Sequence, residues 1–212
     1  PGGQQQSIVR DISERWQRER ELQADQRALQ RLLQLCELHL SNQGDPVILD
    51  AVLAAAIATT EADCGSLQDF DPSTGELRLV AAHGFPTAGL GLWSRVAADQ
   101  GARGTALLGQ RARLIVEDLE ASPGFASTQE LEAHRQAGVR ALQATPLFSR
   151  AGEPIGVIST YFRTARRPSA SALRRLDLLA VHAADLLAHR RAEQKLRRAE
   201  ALASGILAVS AD

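Results

Sequence analysis

Val139-Arg140-Ala141-Leu142-Gln143-Ala144-Thr145-Pro146-Leu147-Phe148, then Ser149-Arg150-Ala151-Gly152-Glu153-Pro154, then Ile155-Gly156-Val157-Ile158-Ser159-Thr160-Tyr161-Phe162, is the stretch whose reading decides the fold. Two runs rich in apolar residues flank a six-residue cluster of turn formers, which predicts a β-hairpin. Ile155, Val157 and Tyr161 fall on one side of the second strand, Ile158 and Phe162 on the other. Apolar residues on both sides predict a central strand covered on two faces.

Upstream, Cys64 to Phe70 and Leu77 to His83 bracket Asp71-Pro72-Ser73-Thr74-Gly75. Proline presets φ early in such a turn and glycine admits φ > 0 late, so a second hairpin is expected. Leu114-Ile115-Val116 reads as a short strand, and Ala51–Thr60 and Ser127–Gln136 read as helices. Five strands, most of them in or beside hairpins, predict an antiparallel sheet in an α+β layer fold.

Both ends are helical in pattern. Asp11-Ile12-Ser13-Glu14 has the form of a capping box. Beyond it Ile12, Arg15, Glu19, Leu22, Gln26, Leu29, Leu33, Cys36 and Leu40 recur at steps of three and four, a polar-interrupted seam that a second helix can bury. At the other end Leu173, Leu176, Ala180, Ala183 and Leu187 make one stripe, and Ala192, Leu196, Ala199, Ala203 and Ile206 make another. The five-residue step between them turns the apolar face by roughly 140°. The first stripe is expected on the sheet and the second against a different partner, most simply a second copy of the chain.

The 212 residues are 44% hydrophobic and 23% charged, with net charge −1. That suffices for one domain plus extensions and excludes a disordered or collagen-like chain. No apolar run approaches the roughly 20 residues of a membrane span. With 24 basic against 25 acidic residues, nothing favours a polyanionic partner, and only Phe162 to Arg167 is locally basic. Cys36 and Cys64 are too few and too far apart for a disulfide framework or a zinc site, which suggests reduced thiols and a cytoplasmic setting. The chain contains no methionine and reads as a piece of something longer.

None of the five histidines sits at metal-ligand spacing, and His182 lacks the acidic neighbour and downstream proline of a kinase phosphoacceptor. Lys195 is the sole lysine and there is no glycine-rich phosphate loop, so no catalytic or metal residues are assigned.

Cys64-Gly65-Ser66-Leu67-Gln68-Asp69-Phe70-Asp71-Pro72 with Gly75-Glu76-Leu77, then Gly101-Ala102-Arg103-Gly104-Thr105-Ala106, Ile115-Val116-Glu117-Asp118-Leu119, Gly138-Val139-Arg140-Ala141, Thr145-Pro146-Leu147 and Gly152-Glu153-Pro154-Ile155-Gly156-Val157 together resemble a GAF domain over about residues 29–189. The resemblance implies an antiparallel sheet of five or six strands, a helical dimer layer on one face and a ligand pocket on the other. Residues 1–10 resemble the tail of a preceding PAS domain and 206–212 the start of a following one. The segment 11–41 is then a signalling helix running into the domain, and 190–206 an exit coiled coil. PAS–GAF–PAS series of this kind occur in bacterial sensor histidine kinases and, less often, in diguanylate cyclases.

The resemblance also implies a non-catalytic sensory module acting as a homodimer, with Leu22, Leu29, Leu33, Leu196, Ala199, Ala203 and Ile206 on the dimer helices. No cofactor is identified. The His-Cys pair of bilin-binding relatives aligns with Glu130-Leu131, and Ser149 to Phe162 lacks the cyclic-nucleotide signature. A haem ligand would have to be His83. Cys36 and Cys64 do not match the cysteines of a GAF-type methionine sulfoxide reductase, the enzymatic alternative. If helices cover one face, the pocket face carries Cys64, Ser66 and Gln68; the parity of bilin-type relatives adds Leu142, Ala144, Thr160 and Phe162, with Phe85 and Trp93 closing over them.

Overall fold

The computed structural model describes residues 15–16, 19–27, 30, 45–86, 95–97, 104, 106–107, 111–125 and 129–209, with backbone alone for 45, 95–96, 129, 198 and 202–209. Among the described residues, helices α1 (Asp45–Thr60), α2 (Gln129–Gln136) and α3 (Ala170–Val209) accompany six strands. The strands are β1 (Cys64–Asp71), β2 (Glu76–His83), β3 (Arg95–Ala97), β4 (Leu114–Val116), β5 (Ala141–Phe148) and β6 (Pro154–Phe162). They form one antiparallel sheet in the order β3-β2-β1-β6-β5-β4. The α+β antiparallel architecture is the one expected from the sequence, and β6 is central as its two-faced pattern requires. β3, unread in the sequence, completes the sixth strand by pairing Arg95–Ala97 with Glu76–Arg78.

Turn chemistry fixes both hairpins. Gly75 closes the first at φ 68° and Gly152 the second at φ 79°, where a Cβ would be strained. Pro146 is tolerated because β4 pairs with β5 only as far as Ala144, so the proline lies past that neighbour's end.

Two cores sandwich the sheet. On the helix face, Ile48, Leu49, Val52, Leu53 and Ala56 of α1 and Leu176, Ala180, Ala183 and Leu187 of α3 cover Leu67, Leu147 and Ile158. The first apolar stripe of the C-terminal helix thus packs on the domain. On the opposite, distal face, Leu107, Leu119, Phe125, Leu131 and Val139 pack against Cys64, Phe70, Leu77, Leu142, Val157 and Tyr161.

Two expectations about facing are corrected. Register pairs Cys64 with Tyr161, Gly65 with Thr160, Ser66 with Ser159 and Leu67 with Ile158. Residues paired across strands share a face, so Thr160 and Phe162 stand on the helix face, not with Cys64, Ser66 and Gln68. The parity taken from bilin-type relatives is one residue off along β6, and a period of two converts that into the opposite face. Ile155 also leaves the face of Val157 and Tyr161. Phe148 pairs with Pro154 while Leu147 pairs with Gly156, so Ile155 is bulged out of the ladder and joins the helix-face core.

At the N-terminal end residues 19–27 are helical, and Asp25 accepts a hydrogen bond from Arg175 at 2.8 Å, tying this segment to α3. The capping box 11–14, Leu29, Leu33 and Trp93 lie outside the described residues, as do both PAS-like tails except 206–209, which continue α3. No helix among the described residues is long and apolar enough to cross a membrane.

Candidate functional site

Gln68, Ser159 and the Ser66–Tyr161 hydroxyl pair form a buried polar patch in the middle of the otherwise apolar distal face. Ser66 Oγ lies 3.0 Å from the Tyr161 hydroxyl. Gln68 and Ser159 are buried on neighbouring strands of the same face. Aromatic rings surround the pair: Phe85 meets Tyr161 edge-on at 5.2 Å, and His134 of α2 lies at 6.0 Å from the same ring. Phe125 sits at right angles to His134 at 6.3 Å, and the His134 Nδ1 reaches the Glu130 carbonyl at 2.7 Å. Phe85, Phe125 and His134 of α2 thus set aromatic rings beside neutral hydroxyl and amide groups.

The structure brings together Cys64, Ser66, Gln68, Phe85, Leu142 and Ala144 of the expected set. It adds Ser159, Tyr161 and His134, which the sequence reading did not select. Tyr161 was legible as the partner of Val157 in the β6 alternation; His134 carries no local signal, because only tertiary packing buries α2.

His83 pairs with Gly65 and therefore stands on the helix face, where its Nε2 is 2.7 Å from Asp50 of α1. The distal patch and the haem-ligand candidate are on opposite sides of the sheet. Among the described residues no cluster of three His, Cys, Asp or Glu side chains could hold a metal ion. Arg166 and Arg167 of the basic segment are engaged internally. Arg166 stacks on Phe162 at 5.1 Å and pairs with Glu61, while Arg167 pairs with Glu117.

Cys64 lies at the rim of the patch. Burial, with Asp63 nearby, pushes its thiol up to about 12, against the weaker pull of Arg163. A thiol so placed is a poor nucleophile, since the thiolate is the reactive form. In the folded chain Cys64 is expected to stay unmodified by iodoacetamide at about pH 8 and to react once denatured. Rapid stoichiometric alkylation of Cys64 in peptide maps of the native chain would contradict this.

One electrostatic clamp holds the cover in place. Arg140 donates to both carboxylate oxygens of Asp118 at 2.6 and 2.8 Å, and Asp118 also accepts the Glu120 N–H. Hydrogen bonds from Arg140 bring the Asp118 carboxyl down to about 2. The clamp fixes the loop after β4 that delivers Leu119 to the distal core. A depressed carboxylate stabilises the fold above its unfolded pKa of about 4, and the contribution disappears as pH falls toward 2. Arg140→Ala should therefore melt below wild type near neutrality, and the gap should close at about pH 2. Melting curves that keep a constant gap across that range would refute the clamp.

On the helix face the exit of α3 has its own anchor. Arg191 donates to Asp69 at 2.7 Å, to the Ile155 carbonyl at 3.1 Å and to the Phe70 carbonyl. Beyond it the described side chains of α3 are mostly exposed, Leu196 and Ala199 among them. The side chains of Ala203 and Ile206 lie outside the described residues. Trp16, Leu22, Leu178, Val181 and Leu196 are each more than half exposed, and all five are on the terminal helical segments.

The GAF domain of a phosphoenolpyruvate-protein phosphotransferase from Coxiella burnetii has TM-score 0.66 at 21% identity, covering 79% of this chain and 96% of that one. A domain assigned to a two-component sensor histidine kinase protein of Sinorhizobium meliloti has TM-score 0.57 at 23% identity, covering 71% of this chain and 94% of that one. Free methionine-R-sulfoxide reductase from Neisseria meningitidis, solved with its substrate, has TM-score 0.60 at 18% identity, covering 78% of this chain and 91% of that one. At these identities the likeness establishes a shared fold. No curated protein matches the chain. The sequence description of the GAF domain matches residues 46–188, from the start of α1 to the last buried turns of α3. The chain therefore belongs to the GAF domain family.

Proposed function

We propose that the chain is a non-catalytic sensory and relay module of a bacterial signal-transduction protein, a cytoplasmic sensor histidine kinase, working as a homodimer. The observation that carries this reading is the placement of exposed apolar side chains. Among the described residues, five of the six large hydrophobics that are at least half exposed lie on the terminal helical segments, and the sixth is Val47 of α1. Unburied Leu178 and Val181 are on the outer side of α3, upstream of Leu196. Exposed apolar surface concentrated on helices is what a second copy would cover.

α3 supplies the transmission element because it is one continuous 40-residue helix. Its first half is packed on the sheet and its second half projects beyond Arg191. A signal at the distal face needs only to favour one of two helix arrangements by about 1–3 kcal/mol to alter the output. PAS domains on either side fit the linker pattern at both ends. The raised Cys64 thiol argues against the reductase-like alternative despite the shared fold.

Native mass spectrometry of the purified chain tests the reading, since it reports subunit mass and any retained small molecule together. The proposal expects twice the 22.8 kDa chain mass. A single-chain species throughout the micromolar range would refute it.

A further inference from the structure

We infer that the β5–β6 turn belongs to the pairing surface: Arg150 carries the Asp185 carboxylate into the seam that two parallel copies of α3 share, and sets their register. This rests on the two-copy reading above and specifies the surface that reading needs. At about 100° per residue, Leu178, Val181, Asp185, Ala188, Ala192, Leu196 and Ala199 all fall within an arc of about 80° on α3. No other residue between 178 and 199 falls in that arc, and Asp185 is its sole polar member. The arc lies away from Leu176, Ala180, Ala183 and Leu187, which pack on the sheet. One seam therefore runs along the outer side of the packed half and continues into the half that projects beyond Arg191. Leu178, Val181 and Leu196 are each more than half exposed.

A lone carboxylate in such a seam opposes its own burial, because a desolvated charge without a counter-ion is strongly unfavourable. The β5–β6 turn supplies the counter-ion. Arg150 donates to both carboxylate oxygens of Asp185, through Nε at 3.4 Å and Nη2 at 3.1 Å. In the single chain the Arg150 side chain is 88% exposed, where an ion pair adds little to stability. The turn that presents it is braced. Ser149 N–H donates to the Glu153 carbonyl at 2.9 Å and Gly152 N–H to the Ser149 carbonyl at 2.8 Å. Arg111 donates to the Gly152 carbonyl at 2.6 Å while its guanidinium lies over Phe148. Arg150 is thus offered to α3 from a fixed point.

A second copy is the occupant that fits. In a parallel, two-fold pair each seam position meets itself, so apolar side chains meet apolar ones and the two Asp185 side chains face each other. Two Asp185 and two Arg150 then make a neutral set of four. The Nη1 of each Arg150, which its own chain does not engage, is left for Asp185 of the partner subunit. An antiparallel pair centred on Asp185 would set Leu196 against Arg174 and carry the helix beyond Ala199 past the start of its mate at Ala170.

Sedimentation equilibrium of the full chain as wild type, Arg150→Ala, Asp185→Leu and the double variant provides the test. Arg150→Ala is expected to weaken pairing by roughly tenfold or more. Asp185→Leu should pair as tightly as wild type or tighter, and the double variant should match Asp185→Leu within about twofold. All four should share one circular dichroism spectrum. Leu196→Cys, made with Cys36→Ser, should cross-link to its own counterpart under mild oxidation. Arg150→Ala that pairs like wild type, or a tenfold loss that survives in the Asp185→Leu background, overturns the role of the turn while the two-copy reading stands. Pairing without the cross-link overturns the parallel register. A wild-type chain that sediments as one copy overturns both.

Discussion

Gly156→Ala is expected to cost about 3 kcal/mol or more and to lower the melting temperature by roughly 6–12 °C. A Cβ built at Gly156 would lie 2.2 Å from the Gln68 carbonyl oxygen and 3.3 Å from Leu187 Cδ1. The first clash is with backbone of β1, and β1 and β6 are the two central strands, so no side-chain rotation relieves it. Leu187, the last fully buried leucine of α3 among the described side chains, closes the remaining space from above. Gly124→Ala is the matched control: nothing lies within 4 Å of its Cβ position, and its melting point should stay within about one degree of wild type or rise. Equal melting of the two variants in a thermal scan would contradict this account of the sheet–helix contact.

Arg191→Ala should cost about 1–3 kcal/mol and free the exit half of α3. The side chain holds Asp69 and two carbonyls, one beside the β1–β2 turn and one at the Ile155 bulge. Burial pushes the Asp69 carboxyl above its ordinary range, and the hydrogen bond from Arg191 counters that shift. Removing Arg191 leaves a part-buried carboxylate and two carbonyls without their donor. Asp69→Asn should be milder, because the amide oxygen still accepts from Arg191, and the double variant should be no worse than Arg191→Ala alone. Denaturant unfolding measures the energies, while hydrogen exchange should show faster exchange after Leu187 with Leu176–Ala183 unchanged. Additive losses, or unaltered exchange, would remove Arg191 as the anchor.

The geometry gives this anchor a functional meaning. Successive β1 residues point to opposite sides, so Gln68 belongs to the distal patch while Asp69 meets Arg191 across the sheet. A small displacement of β1 by an occupant of the distal face therefore reaches the residue from which α3 departs. That strand is the shortest physical route from the proposed sensing surface to the exit helix.

Much of the architecture was legible because local chemistry dictated it. Asp71-Pro72 with Gly75, and Gly152 before Pro154, mark their hairpins without help from the rest of the chain. The five-residue step after Leu187 lies where the helix stops serving the sheet, and beyond it most described side chains, Ala192, Leu196 and Ala199 among them, are exposed. β3 was not legible, since three residues carry no usable alternation and only pairing with Glu76–Arg78 makes them a strand.

The facing error at Thr160 and Phe162 has a different origin. Each strand's alternation was clear, but the offset between β1 and β6 is a non-local quantity. Bulges near Val80 and at Ile155 break the simple count along the neighbouring ladders. Arg191 looks like any solvated helix charge until Asp69, 122 residues away, is brought beside it. The same one-residue step along β6 separates Ser159, on the distal face, from Thr160 on the helix face.

Sedimentation velocity on the intact chain, wild type against the double variant Leu178→Glu with Val181→Glu, tests the central claim most directly. The account predicts a two-copy species for wild type and a one-copy species for the variant, with the same circular dichroism spectrum. A wild-type chain that sediments as one copy, or a double variant that remains paired, would contradict it.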